Sequence, residues 1–425
     1  MAHRNHAALP RRRFLKSASA TAGVLTLPQW IPGAALGKGA VAPSERIVLG
    51  GIGIGGRGQG VLGDMLRNPE PQFVAIADAR RQRREAIKRM ADEHHGTTDC
   101  ATYHDFRELL ERPDIDAVLI ATGDRWHALA SILSAKAGKD IFCEKPCSMT
   151  IAESRDLAEV IRRYGVVYQA GTQRRTIGNF ILAAELVADG TLGELREVHA
   201  NTLNPAVTHD WLPAEPEPPA DEVDWDMWLG PCPWRPYNES YVRGGWRGHF
   251  DFHGGGILEW GSHTVDLCQW AAQKDDTGPV EFEPSGSEVH ARYADGVRLI
   301  MRDTGWLGLG TCSVRYVGSE GWVETGDSGA MQIHPEPLRA HLRIFTEPGT
   351  SPRNHVREFF DCVKTRALPS ANADVACQSH IACHAAYIAW QLGRRLEWDP
   401  VAEEFPDDDE ANRMRSRAYR EPWRV

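Results

Sequence analysis

From residue 46 onward the chain alternates short apolar runs with stretches in which apolar positions recur every three or four residues. The runs at 46–52, 72–78, 116–121, 140–143 and 166–170 are nearly continuous in apolar character, as strands covered on both faces must be. The stretches 59–67, 80–94, 127–138 and 152–164 carry helical spacing instead. Strand then helix, repeated, predicts a parallel sheet. After Gly171 the period shortens to two at 194–203, 287–293, 297–303, 311–316 and 321–325, which predicts antiparallel strands. Between the first of these and the rest lies a Pro- and Trp-rich region, 204–250, too long for a plain connector. A helix is predicted near 373–395, and no internal repeat is visible.

The turn out of the first strand narrows the picture. Gly53, Gly55 and Gly58 form a G-x-G-x-x-G pattern between an apolar run and a helical one. The first glycine permits the tight turn, the second removes a Cβ where phosphates approach, and the third lets helix and strand pack closely. The helix start then offers unpaired N–H groups to a diphosphate. The run ending at Asp78 places a carboxylate 25 residues after Gly53, suited to ribose hydroxyls. These features predict an α/β N-terminal Rossmann domain binding NAD, followed by an α+β domain with an open, mostly antiparallel sheet. Arg80 and Arg81 could receive a 2′-phosphate, so NADP stays open beside NAD. The expected divisions are 1–42, a targeting segment; 43–171, the cofactor domain; 172–398, the second, substrate-binding domain, to which the family resemblance adds oligomerisation; and 399–425, a tail.

The 425 residues suffice for two full cores, with 42% hydrophobic and 25% charged residues. Residues 1–42 hold six basic side chains and no acid, so without them the net charge moves from −10 to −16. Such a body has no footprint for nucleic acid. Arg11, Arg12 and Arg13 followed by Phe14-Leu15-Lys16 and a mildly apolar 18–27 resemble a twin-arginine export signal, which implies the export machinery as partner and a periplasmic or otherwise exported location. The apolar stretch is too short for a permanent membrane span. Nine cysteines without a C-x-x-C pair describe packing residues, and Cys143 and Cys147 beside Glu144-Lys145-Pro146 fit as small hydrophobes. The acidic run 407–410 reads as solvated surface.

Two segments carry candidate chemistry. Lys145 follows directly on a strand, at the carboxyl end of the sheet, where open α/β folds bind ligands. A lysine there can act as acid, base or hydrogen-bond donor. In 254–270, Glu259, His263 and Asp266 fall on one helical face, and a histidine flanked by carboxylates suits removal of a hydroxyl proton. Glu259 with His263, and His380 with His384, also have i,i+4 spacing for a metal, but no third ligand is set by spacing, so no metal site is assigned. Trp211, Trp225, Trp228, Trp234, Tyr237, Tyr241 and Trp246 offer aromatic faces that suit a sugar ring or core packing.

Gly53-x-Gly55-x-x-Gly58, the segment 121–127, Glu144-Lys145-Pro146, Gly171-Thr-Gln-Arg-Arg175 and 254–270 together resemble the Gfo/Idh/MocA oxidoreductases in order and spacing, over about residues 46–398. The resemblance implies that Lys145 meets substrate and nicotinamide, that Glu144 lies near the nicotinamide ribose, and that His263 is the general acid/base. It extends the cofactor contacts to Gly56, Arg57, Thr122, Trp126 and His127, and implies a homo-oligomer, dimer or tetramer, formed through the second sheet. Glu259 stands where the family commonly has Asp, and Arg125 where it often has His.

Three activities follow as expectations. One is an oxidoreductase for a carbohydrate or polyol hydroxyl, with tightly bound cofactor regenerated in place because an exported enzyme meets no soluble pool. Another is a redox-neutral glycosidase, lyase or epimerase in which Lys145, His263 and a tyrosine such as Tyr241 move protons. The third is a binding module with a purely structural cofactor.

Overall fold

The computed structural model describes residues 41–42, 45–343 and 353–423. The arginine-led segment 11–16 therefore lies outside the described residues. From Arg46 onward the chain forms one compact unit.

Six strands, β1 (Ile47–Ile52), β2 (Pro71–Ala77), β3 (Ala101–Tyr103), β4 (Ala117–Ile120), β5 (Asp140–Cys143) and β6 (Tyr168–Ala170), make a parallel sheet in the order β3-β2-β1-β4-β5-β6. β4 and β5 are buried throughout, which is why they read as unbroken apolar runs. The order reverses between β1 and β4, so the turns after these two strands diverge and open a crevice at the sheet's carboxyl edge.

The second sheet has eight strands: β7 (Leu195–Asn201), β8 (Glu281–Ser285), β9 (Glu288–Arg292), β10 (Arg298–Arg302), β11 (Val314–Gly318), β12 (Trp322–Thr325), β13 (Met331–His334) and β14 (Leu396–Glu397). Their order is β13-β12-β11-β7-β10-β9-β8-β14, antiparallel except for the β7–β10 pair. The Gly256–Ala271 helix packs on its inner face, with Leu258, Val265 and Leu267 in a core shared with Val198, Leu299 and Tyr316. This helix is the bridge on which the chemistry sits.

Two pieces of the chain leave their expected domain. The Arg353–Thr365 helix places Val356, Phe359 and Phe360 against Val61, Leu62 and Met65, inside the first domain's core. Within the tail 399–425, Tyr419 and Trp423 pack onto the first domain: Trp423 lies edge-on against Trp126 at 4.8 Å, and the Tyr419 hydroxyl donates to Glu153 at 2.8 Å. Its acidic run 407–410 lies at the surface as expected, with Asp407, Asp409 and Glu410 exposed, and Asp408 caps the Asp409–Arg413 helix and pairs with Arg394. Among the described residues no helix is long and apolar enough to cross a membrane.

Candidate active site

The crevice after β1 and β4 is lined by Gly53, Gly55, Gly56, Arg57, Asp78, Thr122, Gly123, Arg125 and Trp126. Gly53 has φ +63°, and a Cβ there would strike Thr122 in the turn after β4, so only glycine closes this turn without strain. At Gly58 a Cβ would lie 2.6 Å from that of Ala121. Gly55 differs, with no atom nearer than 3.9 Å to its missing Cβ, so the space it leaves faces the crevice. The Gly56–Leu66 helix starts without a side-chain cap and without an acid in its first turn, leaving its N–H groups for an anion.

Asp78, at the end of β2, accepts from the Arg80 amide at 2.8 Å, and burial pushes its carboxyl up to about 6. Of the two arginines considered for a 2′-phosphate, Arg80 lines the crevice but gives Nη1 to the Val242 carbonyl at 3.0 Å. Arg81 is turned away onto Asp221 and Glu222. Arg83 lines the crevice in its stead. Trp126 is buried, its Nε1 donating to the Met227 carbonyl at 3.0 Å.

A second cavity adjoins the first along Arg57, Ala121, Thr122 and Arg247. It is lined by His127, Glu144, Lys145, Arg174, Glu259, His263 and Asp327, among others. Lys145 emerges just past β5 and donates through Nζ to the Glu259 carbonyl at 2.7 Å and to its carboxylate at 3.0 Å. Glu144 instead accepts from Arg57 Nε at 3.0 Å, tying the glycine turn to the turn after β5. His127 donates Nδ1–H to the Pro146 carbonyl at 2.6 Å, and burial holds its imidazole neutral.

The helix carrying Glu259 and His263 forms as its spacing predicts, but the carboxylates do not flank the histidine. His263 Nε2 accepts from Arg174 Nη1 at 2.8 Å, and among the described residues its Nδ1 has no partner. Burial and the Arg174 charge keep the imidazole far below its usual pKa, hence uncharged. Arg174 is itself clamped by Asp327, at 3.0 and 2.7 Å. Glu259 faces Lys145 and His253, and although burial opposes its charge, those two partners hold it well below the usual carboxylate range. Asp266 lies outside the cavity altogether. Its carboxylate is spent on Arg175, at 2.7 and 2.9 Å, and burial raises it to about 6.

Other assignments resolve in the same way. Tyr241 is fully buried and its hydroxyl accepts from the Leu212 amide at 2.7 Å, so it is a packing residue and not a proton donor to this cavity. Trp225, Trp228, Tyr237, Tyr241 and Trp246 form a buried cluster, while Trp211 and Trp234 are exposed outside both cavities. His380 and His384 are buried, bound to the Cys147 amide and the Ser148 hydroxyl.

Among the described residues, the group able to share a metal is Asp124, His253 and Glu259, within 4.8 Å of one another, not the pairs considered from spacing. Glu259 already faces two cations, the Lys145 ammonium at 3.0 Å and the Arg247 guanidinium at 3.9 Å. His253 accepts from the Gly255 amide through Nδ1 at 3.2 Å, so Nε2 bears the proton donated to Glu259 at 3.0 Å. Asp124, His253, Arg174, Arg247 and Asp327 are absent from the sequence-based site. Arg174 stands within the quoted Gly171–Arg175 motif, but nothing in its spacing pointed to His263.

A glycine-turn crevice at a sheet switch point, joined to a cavity holding a lysine and a neutral histidine, defines a nucleotide-dependent oxidoreductase. The family models agree: residues 47–172 match the oxidoreductase family's NAD-binding Rossmann fold and 209–425 its C-terminal alpha/beta domain. The chain belongs to the Gfo/Idh/MocA oxidoreductase family. It is 31% identical over 311 residues to myo-inositol 2-dehydrogenase of Thermotoga maritima, covering 73% of this chain and 76% of that one. It is 32% identical over 169 residues to glycosyl hydrolase family 109 protein 1 of Shewanella sp. strain MR-4, covering 36% and 37% respectively. The fold resembles the aldose-aldose oxidoreductase of Caulobacter crescentus complexed with glycerol, with TM-score 0.58, 18% identity and coverage of 83% and 99%.

Proposed function

We propose that this oxidoreductase acts on a hydroxyl of a carbohydrate or polyol, is exported, and keeps its NAD(P) bound through the catalytic cycle. The observation that carries the reading is the continuity of the two cavities, which sets Lys145, Glu259 and His263 in a space adjoining the glycine-turn crevice. The sugar-related names of the relatives support the substrate class. Export rests on Arg11–Arg13 and the residues after them.

Bound NAD supplies a hydride acceptor. The protein's own task is to take the hydroxyl proton and to hold the oxygen. His263 is uncharged, and its Nε2 lone pair meets the Arg174 N–H. A substrate hydroxyl that takes the place of this N–H donor gives its proton to Nε2. Lys145, fixed by Glu259, then donates to the same oxygen and offsets its developing charge. His253 and Asp124 keep Glu259 in place behind the lysine.

The purified full-length protein should carry nicotinamide, and the absorbance of its reduced form should rise when the right sugar or polyol is added. A protein with bound NAD that stays spectroscopically silent across a broad panel of both would overturn the reading. The homology to a family 109 glycosyl hydrolase supports a second, redox-neutral activity. Release of the aryl alcohol from an aryl glycoside without added acceptor would favour it; strict dependence on an acceptor would count against it.

A further inference from the structure

Arg125 is the one position in the 121–127 segment where a cation replaces a residue the family often keeps as histidine. It is buried, 4% exposed, and lines the dinucleotide crevice. Its Nε donates to the Trp228 carbonyl at 2.7 Å, and its guanidinium lies 3.6 Å from the centre of the Trp228 ring, with Phe252 at 5.6 Å. Nη1 has no hydrogen-bond partner, and among the described residues no carboxylate forms an ion pair with the side chain. Burial lowers its pKa to about 10. An unpaired buried guanidinium is costly unless an anion joins it, and stacking on an indole offsets only part of that cost.

Part of the crevice lining comes from the same segment that seats Arg125. Met227, Trp228, Val242, Arg243, Gly244, Trp246 and Arg247 line the crevice, although they belong to the chain between β7 and the Gly256–Ala271 helix. The segment is tied to the first domain by main-chain bonds from Arg81 to Glu222, 2.9 Å, and from Asp224 to Ala79, 2.9 Å, and by the Trp126 and Arg80 side chains. A nucleotide in the crevice therefore lies between the glycine turn and a fastened strap.

We propose that Arg125 is a cofactor-holding residue whose guanidinium meets the diphosphate of the dinucleotide, and that the strap 222–247 on which it rests makes that cofactor resident. The diphosphate is the anion that NAD and NADP share, and a guanidinium matches phosphate oxygens with two parallel N–H donors. This deepens, and rests on, the bound-cofactor reading above.

The test uses the full chain stripped of nucleotide and titrated with NAD, followed by tryptophan fluorescence, since Trp228 and Trp246 border the crevice. Arg125→Met should raise the Kd roughly 10- to 100-fold, and Arg125→Lys should recover most of the affinity. Adenosine, which lacks the diphosphate, should bind parent and variants alike. Equal NAD affinity in parent and Arg125→Met would overturn the assignment. Should the Met variant not fold, Arg125→His, measured at a pH where imidazole is neutral, replaces it with the same expected loss, and equal affinity there overturns the proposal too. A parent isolated without nucleotide but weakened by Arg125→Met would sink the resident cofactor and leave Arg125 standing. A parent that keeps its NAD and is indifferent to Arg125→Met would do the reverse.

Discussion

The two adjoining cavities are built from the chain in different ways. The dinucleotide crevice takes its floor from turns that directly follow β1, β2 and β4, so each residue of that floor sits next to the strand that places it, and only the wall from 227–247 comes from far along the chain. The second cavity gathers Lys145 from beyond β5, Arg174 from the turn after β6, Glu259 and His263 from one helix, and Asp327 from between β12 and β13. Local sequence therefore describes a nucleotide turn well. It describes the charge state of a remote assembly poorly, because each ionisable group there answers to partners far along the chain.

Exchanging one group from each cavity should separate binding from chemistry. Lys145→Met is expected to lower turnover about 10²- to 10⁴-fold while leaving the bound nicotinamide at parental stoichiometry. Loss of the cofactor in that variant would erase the distinction between the cavities. Gly53→Val should do the opposite, because φ +63° and the approach to Thr122 both oppose a side chain. A strained turn of this kind costs about 1–3 kcal/mol, to be read as lost nicotinamide per protein chain.

A smaller effect on chemistry is expected at Asp266, which shares its helix with His263 but not its cavity. Asp266→Asn should lower the melting temperature, since it weakens a buried pair with Arg175, while turnover of the folded enzyme stays at the parental level. A large fall in turnover without loss of stability would return Asp266 to the active site.

At neutral pH the smallest expected effect lies at His355, on the helix that crosses into the first domain, because its contribution changes only in acid. It is fully buried, its Nε2–H donates to the Ala170 carbonyl at 2.7 Å, and burial lowers its pKa to about 4. The neutral form is favoured in the fold, so its contribution is complete above the unfolded value near 6.5 and is lost as pH falls toward 4, by about 1.4 kcal/mol per pH unit. The dependence of melting temperature on pH should be shallower in His355→Gln. An unchanged slope would show that other groups carry the acid sensitivity.

Most strands of both sheets were legible because they bury continuous or alternating apolar sets; β3, β8, β13 and β14 were not, being short or carrying few buried residues. The Arg353–Thr365 helix was not, although its apolar residues have helical spacing: nothing in that spacing says which core receives them. The same limit applies to the aromatic residues of 204–250. Their composition suits a sugar platform or a core, and the structure puts five of them in a core whose edge lines the glycine-turn crevice.

The chain's own residues determined the parallel sheet, the glycine turn, the acid at Asp78 and the positions of Lys145 and His263 on their elements, since strand burial, left-handed turns and helical spacing act over a few residues. Only the tertiary structure decided that Glu259 serves Lys145, that Arg174 rather than a carboxylate faces His263, that Asp266 is occupied elsewhere, and that Arg125 is a buried cation without a paired acid among the described residues. Hydrogen bonding and desolvation act through space, and the groups that meet here come from segments as far apart as Arg57 and Asp327.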